Sequence, residues 1–160
     1  MKPDNEVPVT TPEILNAVAR AVSDETIERF HVLAESFEFY NNPPASKMFR
    51  ELVIREKARI EDFPKVAPPK GFFWGEGDTD ILVHYLMWPY HSVGLALACS
   101  ERARDYYLRL AKEPDLKTLA DELIIREENH IRFLRQWQKT LPVPPVDWDE
   151  DPDPPNYDDT

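Results

Sequence analysis

Residues 50–59 (RELVIREKAR) and 121–130 (DELIIREENH) are two copies of one decapeptide, 71 residues apart and identical at five of ten positions. Each copy carries a Glu, Glu56 or Glu127, followed three positions later by a basic side chain. On a helix that spacing puts the pair on one face. The basic residue is Arg59 in the first copy and His130 in the second. Glu-x-x-His is a metal-ligand spacing on bundle helices, whereas Glu-x-x-Arg is an ion-pair spacing. A duplicated helical hairpin with unequal chemistry in its two halves is therefore the starting constraint.

The repeat extends outward. Residues 21–34 match residues 98–111 at an offset of 77, sharing Ala, Ser, Leu and Ala, with Phe30 opposite Tyr107. The offset then falls to 71 because the turn of the second hairpin is six residues shorter. Helices one and two thus repeat as helices three and four, and equivalent positions are expected to converge near a pseudo-twofold axis. Helix one is expected over 11–40, opened by Thr11 as N-cap and Pro12 at the first helical position. The run Asn41-Asn42-Pro43-Pro44 ends it, and helix two follows over 45–62. A Pro- and Gly-rich crossover over 65–80 is long enough to traverse a bundle. Helix three is expected over 80–111, kinked at Pro89, and helix four over 115–139 with Asp115 as its cap. No segment alternates with the period of a strand. The expected fold is all-α: a four-helix bundle over 11–140, preceded by an extension (1–10) and followed by an acidic, Pro-rich tail (141–160).

Composition narrows the functions. The formal net charge is -11, with no cluster of Lys and Arg to release counterions, so nucleic acid is not an expected partner. No apolar run approaches the length of a membrane span, and the N-terminus lacks a basic region followed by an apolar one. A single cysteine, Cys99, precludes an internal disulfide, and the cytoplasm is the default compartment. Residues 147–160 hold seven acids and no base. Such a segment reads either as a disordered solubilising tail or as a docking tail. In the second case Trp148, Asp149 and Tyr157 would supply the contacts to a basic partner.

With A-x-x-Y-Y-x-x-L-A over 103–111, its weaker copy ending Leu33-Ala34, and Glu127-x-x-His130, the chain resembles the ferritin-like superfamily, most closely its rubrerythrin branch. That resemblance implies two irons held by one Glu from each of helices one and three and a Glu-x-x-His from each of helices two and four. Set on this chain, the family pattern puts the helix-one Glu at Ser23, the helix-three Glu at Ser100 and the helix-two His at Arg59. Three of six ligands remain: Glu56, Glu127 and His130. A planar guanidinium can bridge two carboxylates and serve as their counter-charge. Arg59 is accordingly expected to pair across the axis with Glu56 and Glu127. Asp24, Glu28 and Glu101 lie off the ligand direction by about 100–140° of helix rotation.

Tyr107 resembles family tyrosines near the irons and reads equally as core. His84 and His91, seven apart, offer a weaker second metal pattern, and Cys99 reads as a small buried side chain. The aromatic runs Phe72-Phe73-Trp74 and Trp88-Pro89-Tyr90 read as crossover packing or as a partner surface. The sequence favours a non-enzymatic binding or structural subunit without cofactor, with no catalytic residue assigned and a homodimer expected by analogy. The rival is an iron-dependent oxidoreductase (a rubrerythrin-like peroxidase, ferroxidase or oxygen-activating enzyme) using Glu56, Glu127 and His130. No Cys-x-x-Cys module is present to deliver electrons. Iron storage is a third reading, but the tail does not resemble the fifth helix of ferritins.

Overall fold

Thr11 opens the first helix: its Oγ1 accepts the Ile14 N–H at 3.2 Å, and Pro12 follows where no N–H is needed. A computed structural model describes residues 7–151. Residues 1–6 of the extension and 152–160 of the tail, Tyr157 among them, lie outside the described residues. The elements are α1 (Pro12–Phe39), α2 (Pro43–Arg59), a 3-10 turn (Gly77–Leu82), α3 (Pro89–Leu110) and α4 (Lys117–Lys139). No strand occurs among the described residues.

Tight turns make α1/α2 and α3/α4 antiparallel hairpins. Asn41 adopts positive φ (56°) in the first turn, and Asn42 caps α2 through Oδ1. The Asn42 Nδ2 donates to the carbonyls of Tyr85 (3.1 Å) and Met87 (2.9 Å), just ahead of α3. α2 and α3 therefore start at the same end and run parallel, which the crossover makes possible by returning from the end of α2. Replacing Asn42 by Ala removes both the cap and this tie. It is expected to cost about 1–2 kcal/mol, read as a lower urea midpoint at unchanged slope.

α2 covers Pro43–Arg59 instead of the expected 45–62, and two further boundaries differ from the sequence reading for identifiable reasons. α3 begins at Pro89, not near residue 80. Proline lacks the N–H that an interior position must donate, so it serves at the first turn instead of as a kink. Before it, Met87 is buried and His84 Nδ1 accepts the Leu86 N–H, so residues 83–88 follow their own path. α4 begins at Lys117 without a side-chain cap, and Asp115 is exposed. Burying Leu116 at the N-cap position outweighs the cap that Asp115 would have supplied.

The core divides into two apolar clusters. One packs Phe30, Phe37, Phe49, Leu95 and Leu134, with Phe37 and Phe49 stacked at 5.7 Å between ring centroids. The other packs Leu15, Val18, Leu116, Leu123, Trp74 and Tyr107. Ser23, Glu56, Ser100 and Glu127 are also buried. On α1, α3 and α4 each of these lies between the residues of one cluster and those of the other. The bundle thus carries a polar layer at mid-height.

Candidate functional site

α2 stops at Arg59, and its last carbonyls are held from both sides. The Arg20 guanidinium of α1 donates to Ile60 O at 3.3 Å, and Arg126 of α4 donates to Arg59 O at 3.2 Å. Arg126 also chelates Asp62 and lies 4.7 Å over the Phe63 ring. Fixed in this way, Arg59 reaches inward. Its Nη1 donates to Glu56 Oε2 and its Nη2 to Glu127 Oε1, both at 2.8 Å.

Four helices contribute to this layer. Ser23 from α1, Glu56 and Arg59 from α2, Ser100 from α3, and Glu127 and His130 from α4 line one small internal void of about 10 Å³. The structure thus brings all six positions together. Tyr107, fully enclosed, stands beside Glu127 on the wall of an adjoining cleft of about 310 Å³. Asp24 points outward to Arg20 at 3.2 Å, and Glu101 faces Arg135 at 4.0 Å. Neither carboxylate turns into the layer.

Charge in the layer is set by burial. Burial by itself weakens the hold of Arg59 on its proton, but Glu127 and Glu56 outweigh it and the net shift is upward. Two carboxylates share that one guanidinium. Burial, with the repulsion of Glu56 added, pushes the Glu127 carboxyl up to about 7 against the pull of Arg59 and the Ser100 hydroxyl. Glu127 Oε2 is buried with no hydrogen-bond partner. His130 is lowered to about 3 by burial and by the charges of Arg59 and Arg55. It is neutral near pH 7, so its 3.9 Å approach to Glu56 is not an ion pair. Burial, then Glu127, holds the Tyr107 phenol well above its ordinary range.

A dinuclear centre needs converging carboxylates and imidazoles, and this donor set does not fit one. Ser23 and Ser100 contribute hydroxyls where α1 and α3 enter the layer, and a guanidinium lies between the carboxylates. Among the described residues no group of three or more His, Cys, Asp and Glu side chains is arranged to hold a metal ion.

The remaining sequence-marked residues lie elsewhere. His84 precedes α3, and His91 lies in its first turn. Each uses Nδ1 to accept a backbone N–H, from Leu86 and Trp88 respectively, both at 3.0 Å. Between them sits Trp148, with ring centroids 3.9 Å from His91 and 5.2 Å from His84. Trp148 therefore docks on its own bundle, while Asp149 beside it is exposed. Tyr85 donates to Asp151 at 2.7 Å, extending the same attachment. Burial pushes the Cys99 thiol up to about 11, which leaves it protonated. Trp74 packs on Tyr106 of α3 with ring centroids 5.1 Å apart, whereas Phe73 is 70% exposed.

Arg29, Glu76 and Asp80 line a separate cleft between α1 and the crossover. Sequence reasoning did not single them out: Arg29 lies in the repeat at a position its copy does not share, and Glu76 and Asp80 lie in the crossover.

No family model and no curated protein matches this chain. Among solved structures, the chain is similar to an uncharacterized conserved protein from Magnetospirillum magnetotacticum MS-1, known from a crystal structure at 2.00 Å. The two share 25% identity with a TM-score of 0.58, over 86% of this chain and 99% of that one. The likeness is one of helical fold along nearly the full length of the bundle.

Proposed function

We propose that this chain is a ferritin-like bundle of the rubrerythrin type in which an internal ion pair has replaced the dinuclear metal centre. On this reading it acts as a non-enzymatic binding or structural subunit. The observation that carries it is the Arg59 guanidinium, 2.8 Å from Glu56 and 2.8 Å from Glu127, where a metal would otherwise bridge the two carboxylates. A fixed cation of this kind supplies the counter-charge permanently and leaves no position for an exchangeable ligand.

The acidic tail is the docking element in this proposal. Trp148 holds its base against His84 and His91, and Asp147, Asp149 and Glu150 around it are exposed. A basic surface on a partner is the complementary chemistry. Deleting 152–160, which spares the Trp148 attachment, is expected to abolish co-purification of a fixed partner. An unchanged set of co-purifying proteins would remove the tail from the proposal.

Metal analysis tests the central claim. Protein made in iron-replete cells is expected to carry no stoichiometric iron, and about two irons per chain would overturn the reading. Ser23→Glu, Arg59→His and Ser100→Glu together are expected to restore binding of two divalent ions. A folded triple variant that binds none would mean that these positions are not the equivalents of the family ligands. A second reading, a mononuclear iron site at Glu56, Glu127 and His130, draws on the unpartnered Glu127 Oε2 and the neutral imidazole. It predicts about one iron per chain, lost in His130→Ala.

A further inference from the structure

A cleft away from the centre of the polar layer lies between α1, α3 and the crossover, with a volume of about 430 Å³, within the roughly 300–1,000 Å³ typical of small-molecule sites. Apolar walls come from Leu33, Val83, Trp74 and the exposed ring of Phe73.

Some of its charged groups are committed to building the walls. Glu25 accepts the backbone N–H groups of Trp74 (3.0 Å) and Gly75 (3.1 Å). Arg102 donates to the carbonyls of the same two residues, and its guanidinium lies 3.9 Å over the Trp74 ring. Gly77 is required beneath it: a Cβ there would stand 2.6 Å from Arg102 Nε, at a positive φ of 57°. These contacts pin the crossover over the groove and fix the shape of the cleft.

Other groups remain for a ligand. Glu76 and Asp80, both exposed, line the same cleft, and Glu76 Oε1 lies 3.9 Å from Arg29 Nε. Two neighbouring carboxylates are the acceptors that an ammonium group needs. Arg29 supplies the opposite need. Its side chain is only 9% exposed, and its Nη1 is held by Thr79 and by Cys99 Sγ. Its Nη2 is buried and has no hydrogen-bond partner. A buried donor left in this state lacks an acceptor.

We propose that the cleft binds a small amphoteric molecule, a free amino acid with an apolar or aromatic side chain. Its ammonium lies at Glu76 and Asp80, its carboxylate takes the open donor of Arg29, and its side chain packs against Leu33, Phe73 and Val83. The two charged anchors select against molecules that carry only one of the groups. None of its three anchoring residues belongs to the Arg59 layer, although Thr26 and Cys99 line both, so it stands or falls independently of the proposal above.

Titration calorimetry on the full chain with L-phenylalanine and L-leucine tests this. Saturable binding is expected for both. Phenethylamine, which lacks the carboxylate, and 3-phenylpropionate, which lacks the ammonium, are expected to bind at least about tenfold more weakly than phenylalanine. Glu76→Gln with Asp80→Asn, at the rim, should weaken phenylalanine at least about tenfold and leave 3-phenylpropionate unaffected. Phe73→Ala should weaken phenylalanine without altering the unfolding midpoint, since that ring is largely exposed. No saturable heat with either amino acid at millimolar concentration would overturn the proposal. So would phenethylamine binding as tightly as phenylalanine, or a folded double variant that binds phenylalanine undiminished.

Discussion

Replacing Arg59 by Met is expected to destabilise the protein by about 3–5 kcal/mol, read as a fall in the urea midpoint. Methionine fills much of the same space, so the loss comes from charge and not from a cavity. Glu56 and Glu127 are each less than a tenth exposed, and without the guanidinium they face each other in the layer with no cation. Burying an unpaired carboxylate costs several kcal/mol, and the protein would respond by protonating at least one of them. Adding Glu56→Gln and Glu127→Gln to Arg59→Met is therefore expected to recover most of the loss, because the uncompensated charge is gone. A single variant that costs less than about 1 kcal/mol would show that solvent, not Arg59, balances the carboxylates.

The pH dependence of stability is the second large effect, and two groups drive it in opposite directions. The Glu127 carboxyl is near 7 in the folded protein against an ordinary 4.5, so the folded state binds more protons between those values. Its contribution is fully present below pH 4.5 and is lost as pH rises through 7, by about 3 kcal/mol at most. His130 has the opposite sign. Its folded value is near 3 against 6.5, so its contribution is present above pH 6.5 and is lost as pH falls towards 3, by about 5 kcal/mol at most. Between pH 4.5 and 6.5 the two slopes offset each other. Single substitutions should separate them. Relative to the parent, Glu127→Gln is expected to lose stability steadily as pH falls from 7 to 4.5, and His130→Gln to gain it as pH falls from 6.5. Chemical denaturation across pH 4–8 reads both, and parallel profiles for parent and variants would refute the assignment.

Much of the fold was legible because its determinants are local. The decapeptide repeat, the Thr11–Pro12 start and the turns at residues 40–42 and 111–116 depend on caps, breakers and helical period, which act within a few residues. Pro89 shows where local reading fails. A proline can kink a helix or begin one, and the choice rested on what residues 83–88 gained elsewhere: a buried Met87 and the Asn42 contacts from another helix. Leu116 displaced the cap expected from Asp115 for the same kind of reason, since burial across the bundle outweighed a bond within one turn.

The candidate layer was partly legible because duplication places equivalent residues near one axis. Ser23/Ser100, Glu56/Glu127 and Arg59/His130 could be paired in sequence before any contact was known. Their protonation could not, because it depends on burial and on which charge faces which. The cleft beside α1 left no trace in the sequence. Arg29 and Asp80 are 51 residues apart, the repeat does not mark either as special, and the crossover's path brings them together.

By itself the sequence determined a duplicated four-helix bundle, because helix period and internal repetition are properties of the chain alone, and the family resemblance it carries pointed to the six side chains that meet at the centre. The tertiary structure decided that Arg59 spans both carboxylates, that Trp148 lies on its own bundle, and that the crossover encloses a second cleft. Those are matters of distance and burial between segments far apart in sequence, where Coulomb and desolvation energies act and local propensity is silent.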